Sequence, residues 1–151
     1  MLSETDRRIL RIIQADGRIT NQELASRAGL SPSACHDRLR RLRESGYITG
    51  FVALLNPAKL ERALTVYVEV LLNRTTAEVF DDFRDAVLRM PEIMECHMVA
   101  GGFDYLLKMR MRDMAHYRIF LGETLTGLPG VRETRTYAVL EEVKSTVILP
   151  V

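Results

Sequence analysis

Apolar residues recur in two rhythms along this chain. From residue 3 to residue 46 the period is helical. "SETDRRILRIIQADG" sets Ile9, Leu10, Ile12 and Ile13 in one broad stripe. Ser3 can cap that helix with Asp6 three residues on, and Gly17 stands where a left-handed residue would end it. "TNQELASRAG" predicts a second helix, with Thr20 and Glu23 as a capping box and Leu24, Ala25 and Ala28 facing inward. "LSPSACHDRLRRLRESG" predicts a third, with Ser31 as cap, Pro32 at the first helical position and Gly46 as the stop. From residue 64 onward the period is mostly that of strands. "ALTVYVEVLLN", "EIMECHMVAG", "FDYLLKMRM" and "VRETRTYAVLEEVKSTVIL" predict four strands, with room after the last for a short fifth. Between them, "AEVFDDFRDAVLRM" predicts a helix with Val79, Phe80, Phe83, Val87 and Met90 on one face. "DMAHYRIFLGETLTGL" predicts another, capped by Asp113, with Met114, Tyr117, Leu121 and Leu125 on one side.

Only "GLS" separates the second and third helices, so they must cross steeply, and Ala25 is small enough to let them approach. That is the helix-turn-helix arrangement. On a wheel at 100° per residue, Cys35, Leu39 and Leu42 of the third helix form its buried stripe. Ser33, Asp37, Arg40 and Arg41 lie opposite, flanked by His36, Arg38 and Arg43. Such a face can reach base edges and phosphates, and arginine's planar fork matches either phosphate or guanine.

The second rhythm has the order β-α-β-β-α-β, the ferredoxin-like plan: an antiparallel four-stranded sheet with both helices on one face. Gly101-Gly102 is expected in a hairpin turn tolerant of positive φ. Val66, Val68 and Val70 alternate with Tyr67 and Leu71, so both phases of the first strand carry apolar residues. A sheet apolar on both faces needs cover on both, and a second copy of the chain is the expected cover. The class is therefore α+β, with three stretches: 1–50 as the helix-turn-helix domain, 51–62 as strand and linker ("GFVALLN" reading as the strand, before Pro57), and 63–151 as the second domain.

Composition narrows the function classes. The chain has 151 residues and a formal net charge of +1, with 47% hydrophobic and 27% charged residues, an ordinary soluble pattern. Residues 1–50 hold nine Arg/Lys against six Asp/Glu, and residues 51–151 hold twelve against fourteen, so the positive charge gathers at the helical end. No apolar run reaches the ~18 residues of a membrane span, and "MLSETDRRIL" lacks the regions of a signal peptide. Two cysteines and seven methionines fit a reducing cytoplasm. Cys35-His36 and Cys96-His97 are both Cys-His pairs, but adjacent residues diverge on a helix or strand, and the metal-ligand spacings are missing. No catalytic residue and no metal site is expected.

The residues also carry a resemblance along essentially the whole chain. "DRRILRIIQADGRITNQELASRAGLSPSACHDRLRRLRESGYI", "GFVALLNP", "ECHMVAGGFDYLLKMRMRDMAHY" and "LPGVRETRTYAVLEEVK" resemble the Lrp/AsnC transcription factors, and "ALLNP", "ECHMV", "FDYLLK" and "TRTY" look closest to the leucine-responsive branch. The resemblance implies an N-terminal DNA-binding domain and a C-terminal, ACT-like domain for effector binding and oligomerisation. It implies homodimers assembling to tetramers, octamers or larger on double-stranded promoter DNA. It implies leucine or another small amino acid as effector, with no other cofactor. By position, Gly101, Gly102, Phe103, Asp104 and Tyr105 would lie at the effector cleft, bordered by Met98, Met114, Thr134, Thr136, Tyr137, Ala138 and Val139. Asp104 could take an ammonium group, and Met98 and Met114 offer adaptable apolar surface. The family turn is usually Gly-Asp-x-Asp; here Gly102 replaces the first carboxylate.

The expected function is a sequence-specific transcriptional regulator of amino-acid metabolism, with Ser31, Ser33, His36, Asp37, Arg38, Arg40 and Arg41 on DNA. An architectural, nucleoid-like DNA binder without effector, and an amino-acid sensor acting by protein contact, remain as alternatives.

Overall fold

The structure is a computed structural model and describes residues 2–151. It divides into two compact units: Met1–Leu54 with Lys144–Val151, and Leu55–Val143. The first unit extends past residue 50, and the last eight residues belong to it instead of to the second unit.

In the first unit, α1 spans Glu4–Ala15, α2 Asn21–Ala28 and α3 Pro32–Glu44. Ser3 and Asp6 close a full capping box on α1. On α2 only half of the expected box is seen, with Thr20 Oγ1 accepting from the Glu23 N–H at 3.2 Å. Gly29 ends α2 in the left-handed region, and the Leu30 N–H reaches back to Ala25 O at 2.9 Å, which closes the tight turn. Gly17 does not act as the left-handed stop expected after α1. Asp16 caps it in extended conformation, and Gly17 instead leaves room for Phe51, whose ring would stand 3.3 Å from an added Cβ. Ile9, Leu24, Ala25, Cys35 and Leu42 form the core of this unit. The expected strand at "GFVALLN" is absent: residues 48–56 are irregular, with Val52, Leu54 and Leu55 exposed. A strand needs a ladder partner, and this segment has none among the described residues.

In the second unit, β1 (Leu64–Leu72), α4 (Ala77–Leu88), β2 (Ile93–Met98), β3 (Tyr105–Met111), α5 (Met114–Glu123) and β4 (Val131–Ala138) follow the expected order. No fifth strand forms among the described residues. The sheet order is β2-β3-β1-β4, antiparallel throughout. Val66, Val68, Val70, Leu107 and Met109 face the helices and meet Phe83, Tyr117 and Phe120. Met114 is not on the buried side of α5 as expected. It is half exposed at the first helical position, and Phe120 takes the inward place.

The opposite face of the sheet is less apolar than the alternation suggested. Leu71, Leu106 and Tyr67 lie there, but Glu69, Lys108 and Arg110 stand among them, all half-buried. Glu95 accepts from Lys108 at 2.9 Å, which draws the carboxyl below its usual range and lifts the ammonium above its own. Arg110 grips both oxygens of Glu142 at 3.0 and 2.9 Å.

Candidate nucleic-acid interface and ligand module

The exposed side of α3 is set by its caps and by its two-residue buried edge. Ser31 Oγ accepts from the Ala34 N–H at 3.3 Å, which starts the helix, and Pro32 occupies its first turn. Cys35 and Leu42 point into the core, and burial pushes the Cys35 thiol up. Ser33, His36, Asp37, Arg40 and Arg41 then fall on the exposed side. The structure brings these five together on one surface. Ser31 is next to them but is engaged as the cap and shares a 3.3 Å contact with Ser33 Oγ.

The seven expected DNA contacts are not equivalent. Arg40 pairs with Asp37 at 3.2 Å and approaches Glu44 at 3.9 Å, all on exposed helix surface. Such pairs are weak and exchange readily for a phosphate. Arg41 has no ion pair among the described residues. Arg38 is different. Its Nη1 stands 2.8 Å from Asp6 Oδ1 and 3.3 Å from Ser3 Oγ, so it ties α3 to the start of α1. Asn21 was missed by the pattern of charges: its Nδ2 donates to Pro32 O at 2.9 Å and pins the start of α2 to the start of α3. A polar residue just after a helix cap is the only sequence trace of that contact.

In the second unit the expected effector residues divide. The loop between β2 and β3 holds Gly101, Gly102 and Asp104 at the end of the sheet where β1 finishes and β4 begins. Met98 and Thr134 lie at that same end. Met114 follows the far end of β3, six strand steps of ~3.3 Å away, or roughly 20 Å. Met98 and Thr134 are on opposite edge strands, three spacings of ~4.8 Å apart, about 14 Å. Thr134 and Thr136 face the helices, where Thr136 Oγ1 bonds the Tyr117 hydroxyl. Tyr137 faces the other way and donates to Glu69 Oε1 at 3.1 Å. No single cleft within one chain gathers the whole set.

Several residues in the set have structural duties. Asp104 Oδ2 accepts from the Leu72 N–H at 2.7 Å, and the Asp104 N–H donates to Val70 O at 3.0 Å, so the residue closes the end of β1. Tyr105 is in the core, its ring 4.5 Å from that of Phe83. Gly101 and Gly102 do not adopt the positive φ expected of a hairpin turn. A Cβ on either would meet nothing, so the loop offers open backbone. Gly102 and Phe103 border a depression of about 20 Å³ completed by Glu69, Leu71, Glu133 and Arg135. It has room for roughly one water. Glu133 and Arg135, paired at 3.1 Å, escaped the sequence reading because nothing local links them to a loop some thirty residues earlier.

Comparison with known proteins agrees with both halves. Residues 2–49 match a winged helix-turn-helix DNA-binding family, and residues 65–149 match the Lrp/AsnC ligand binding domain. Leucine-responsive regulatory proteins of Klebsiella pneumoniae and Escherichia coli K12 are each 56% identical over 95% of this chain and 87% of their own length. A transcriptional regulator of Neisseria meningitidis, solved as its L-Met complex, superposes with a TM-score of 0.95 at 36% identity, covering 99% of this chain and 97% of that one. An AsnC-family regulator of Agrobacterium tumefaciens gives 0.94 at 32% identity, with 99% and 97% covered. A three-helix, helix-turn-helix unit followed by a ferredoxin-like ligand module thus has its counterpart over nearly the whole chain, which belongs to the Lrp/AsnC family of DNA-binding transcriptional regulators.

Proposed function

We propose that this regulator places α3 in the major groove of double-stranded promoter DNA and adjusts its grip to an apolar amino acid. The exposed cluster Ser33, His36, Asp37, Arg40 and Arg41 carries the reading. Arg40 and Arg41 exchange weak or absent partners for phosphate or guanine, while Ser33, His36 and Asp37 sample base edges. Arg38 and Ser31 act one step back: Arg38 fixes the helix against α1, and Ser31 caps it.

The amino acid is leucine or methionine in class, as the names of the leucine-responsive relatives and of the L-Met complex support. The divided residues favour a composite site between copies, one supplying Met98 and the open backbone of Gly101 and Gly102, another supplying the far-end residues Met114 and Tyr137. Glu133 and Arg135 beside Gly102 offer charges of both signs for a zwitterion. The regulator works in the cytoplasm as a homodimer that assembles further, controls amino-acid metabolism and catalyses no reaction. The half-buried open face of its sheet, with Leu71, Leu106 and Tyr67, is the surface a second copy would cover.

The test is fluorescence anisotropy on the protein's own upstream DNA and on scrambled DNA at one fixed salt, since phosphate contacts make affinity steeply salt-dependent. Specific binding that leucine or methionine alters is the expected result. Specific binding unaffected by every amino acid would favour the architectural reading, to which the missing carboxylate at Gly102 lends some support. Equal binding to both DNAs would overturn sequence-specific recognition.

A further inference from the structure

The end of the chain packs where its sequence would not put it. The ligand-binding family match runs to residue 149, yet Lys144–Val151 belong to the helix-turn-helix unit. Residues 139–151 have no regular structure. What holds the last of them is one face of α1. Gln14 presents its carboxamide to Leu149 as a peptide group would: Nε2 donates to Leu149 O at 3.1 Å, and the Leu149 N–H donates to Oε1 at 2.7 Å. Three residues earlier on the same face, Arg11 Nε donates to Val151 O at 2.6 Å, and Arg11 is itself braced by Glu4 at 2.9 Å. Val151 packs against the three-helix core, while Val147 and Leu149 are 69% and 68% exposed. The segment is thus anchored by a few polar contacts and one apolar end, with little burial between.

We propose that residues 146–151 form a reversible strap, latched on α1 by Gln14 and Arg11, that gives the DNA-binding unit a second attachment to the ligand module. The chain leaves the first unit after Leu54 and re-enters it at Lys144. One flexible tether lets a domain swivel; two restrict it. The segment 139–148 spans at most about 35 Å when fully extended, so a displacement of β4 larger than its slack pulls on the latch. α1 supplies Ile9, Leu10, Ile12 and Ile13 to the core that also holds Cys35 and Leu42 of α3, so strain on α1 reaches the reading helix. A ligand acts through the strap only as far as it favours the latched or the free form. This regulatory half rests on the amino-acid reading above; the latch itself does not.

The test uses the full chain, Gln14→Leu, and a chain ending at Ser145. Amide exchange at Leu149, whose N–H donates to Gln14 Oε1, reports the latch, and anisotropy on upstream DNA with and without L-leucine or L-methionine reports the coupling. Gln14→Leu should speed exchange of the Leu149 amide by about tenfold or more. It should keep DNA affinity without amino acid within about twofold and remove the amino-acid response. The shortened chain should lose the response as well, and it decides the matter if Gln14→Leu loses helical circular dichroism. Unchanged exchange in Gln14→Leu, or a full response in the shortened chain, overturns the strap. A natural chain that responds to no amino acid sinks the ligand reading, and the latch then stands or falls on exchange alone.

Discussion

Arg38 of the reading helix and Asp6 of the first helix form one ion pair, Nη1 to Oδ1 at 2.8 Å, built onto the capping box that Ser3 and Asp6 make. An arginine expected on DNA is therefore tied to the first helix in the chain by itself. Its neighbour Arg41, three residues on, is left without a partner among the described residues.

The two arginines should fail differently. Arg38→Ala should lower stability by about 1 kcal/mol, since the pair is only partly exposed and its loss leaves Asp6 short of a donor. Arg41→Ala should leave the melting temperature unchanged, weaken DNA binding across sequences and reduce the salt slope by roughly one unit. Thermal melts beside salt-titrated anisotropy separate the effects. Equal stability loss in both variants would remove the distinction.

Asp6 also predicts an acid dependence. Its hydrogen bonds from Ser3, and then the Arg38 guanidinium, outweigh burial and hold its carboxyl below the usual carboxylate range. A folded-state value lower than the unfolded one stabilises the fold above the unfolded value. That contribution is lost as pH falls through the folded value. Asp6→Asn should flatten the fall in melting temperature between neutral pH and about pH 3. An identical fall in both proteins would mean other carboxylates carry it.

Glycines of the second unit should rank by geometry. Gly130 has φ +73°, and a Cβ there would lie 2.5 Å from Val79 Cγ1, while its carbonyl accepts from the Asn73 N–H. Gly130→Ala should cost about 2 kcal/mol or more through strain and displacement of Val79. Gly102→Ala, with φ negative and nothing near, should be nearly neutral to stability. Denaturant melts of the two variants decide it; a tolerated Gly130→Ala would show that Val79 moves aside freely.

Leu106 tests the face a second copy would cover. It is half-buried beside Glu69 on the side away from the helices. Leu106→Arg should shift sedimentation toward the monomer with little change in helical circular dichroism, because a charge placed in a covered face lacks a partner. An unaltered assembly size would move the interface elsewhere.

What a residue does with its near neighbours was legible from the order of amino acids. Ser3, Thr20, Ser31 and Asp113 cap the helices they precede because a cap needs only a side-chain oxygen three residues from an N–H. The exposed side of α3 and the β-α-β-β-α-β order follow from the periods of 3.6 and 2 alone. Contacts across long stretches of chain were not legible, since periodicity says which way a side chain faces and not what stands there. Arg38 found Asp6 thirty-two residues back, and Asp104 found the Leu72 N–H at the same remove. Strand order separated Met98 from Thr134, and helix register turned Met114 outward in favour of Phe120. "GFVALLN" has the composition of a strand, but a ladder is made by a partner, and only the folded chain shows whether one is at hand. The tail went to α1 for the same reason: Gln14 offers a free amide pair, and no local pattern in residues 144–151 points to it.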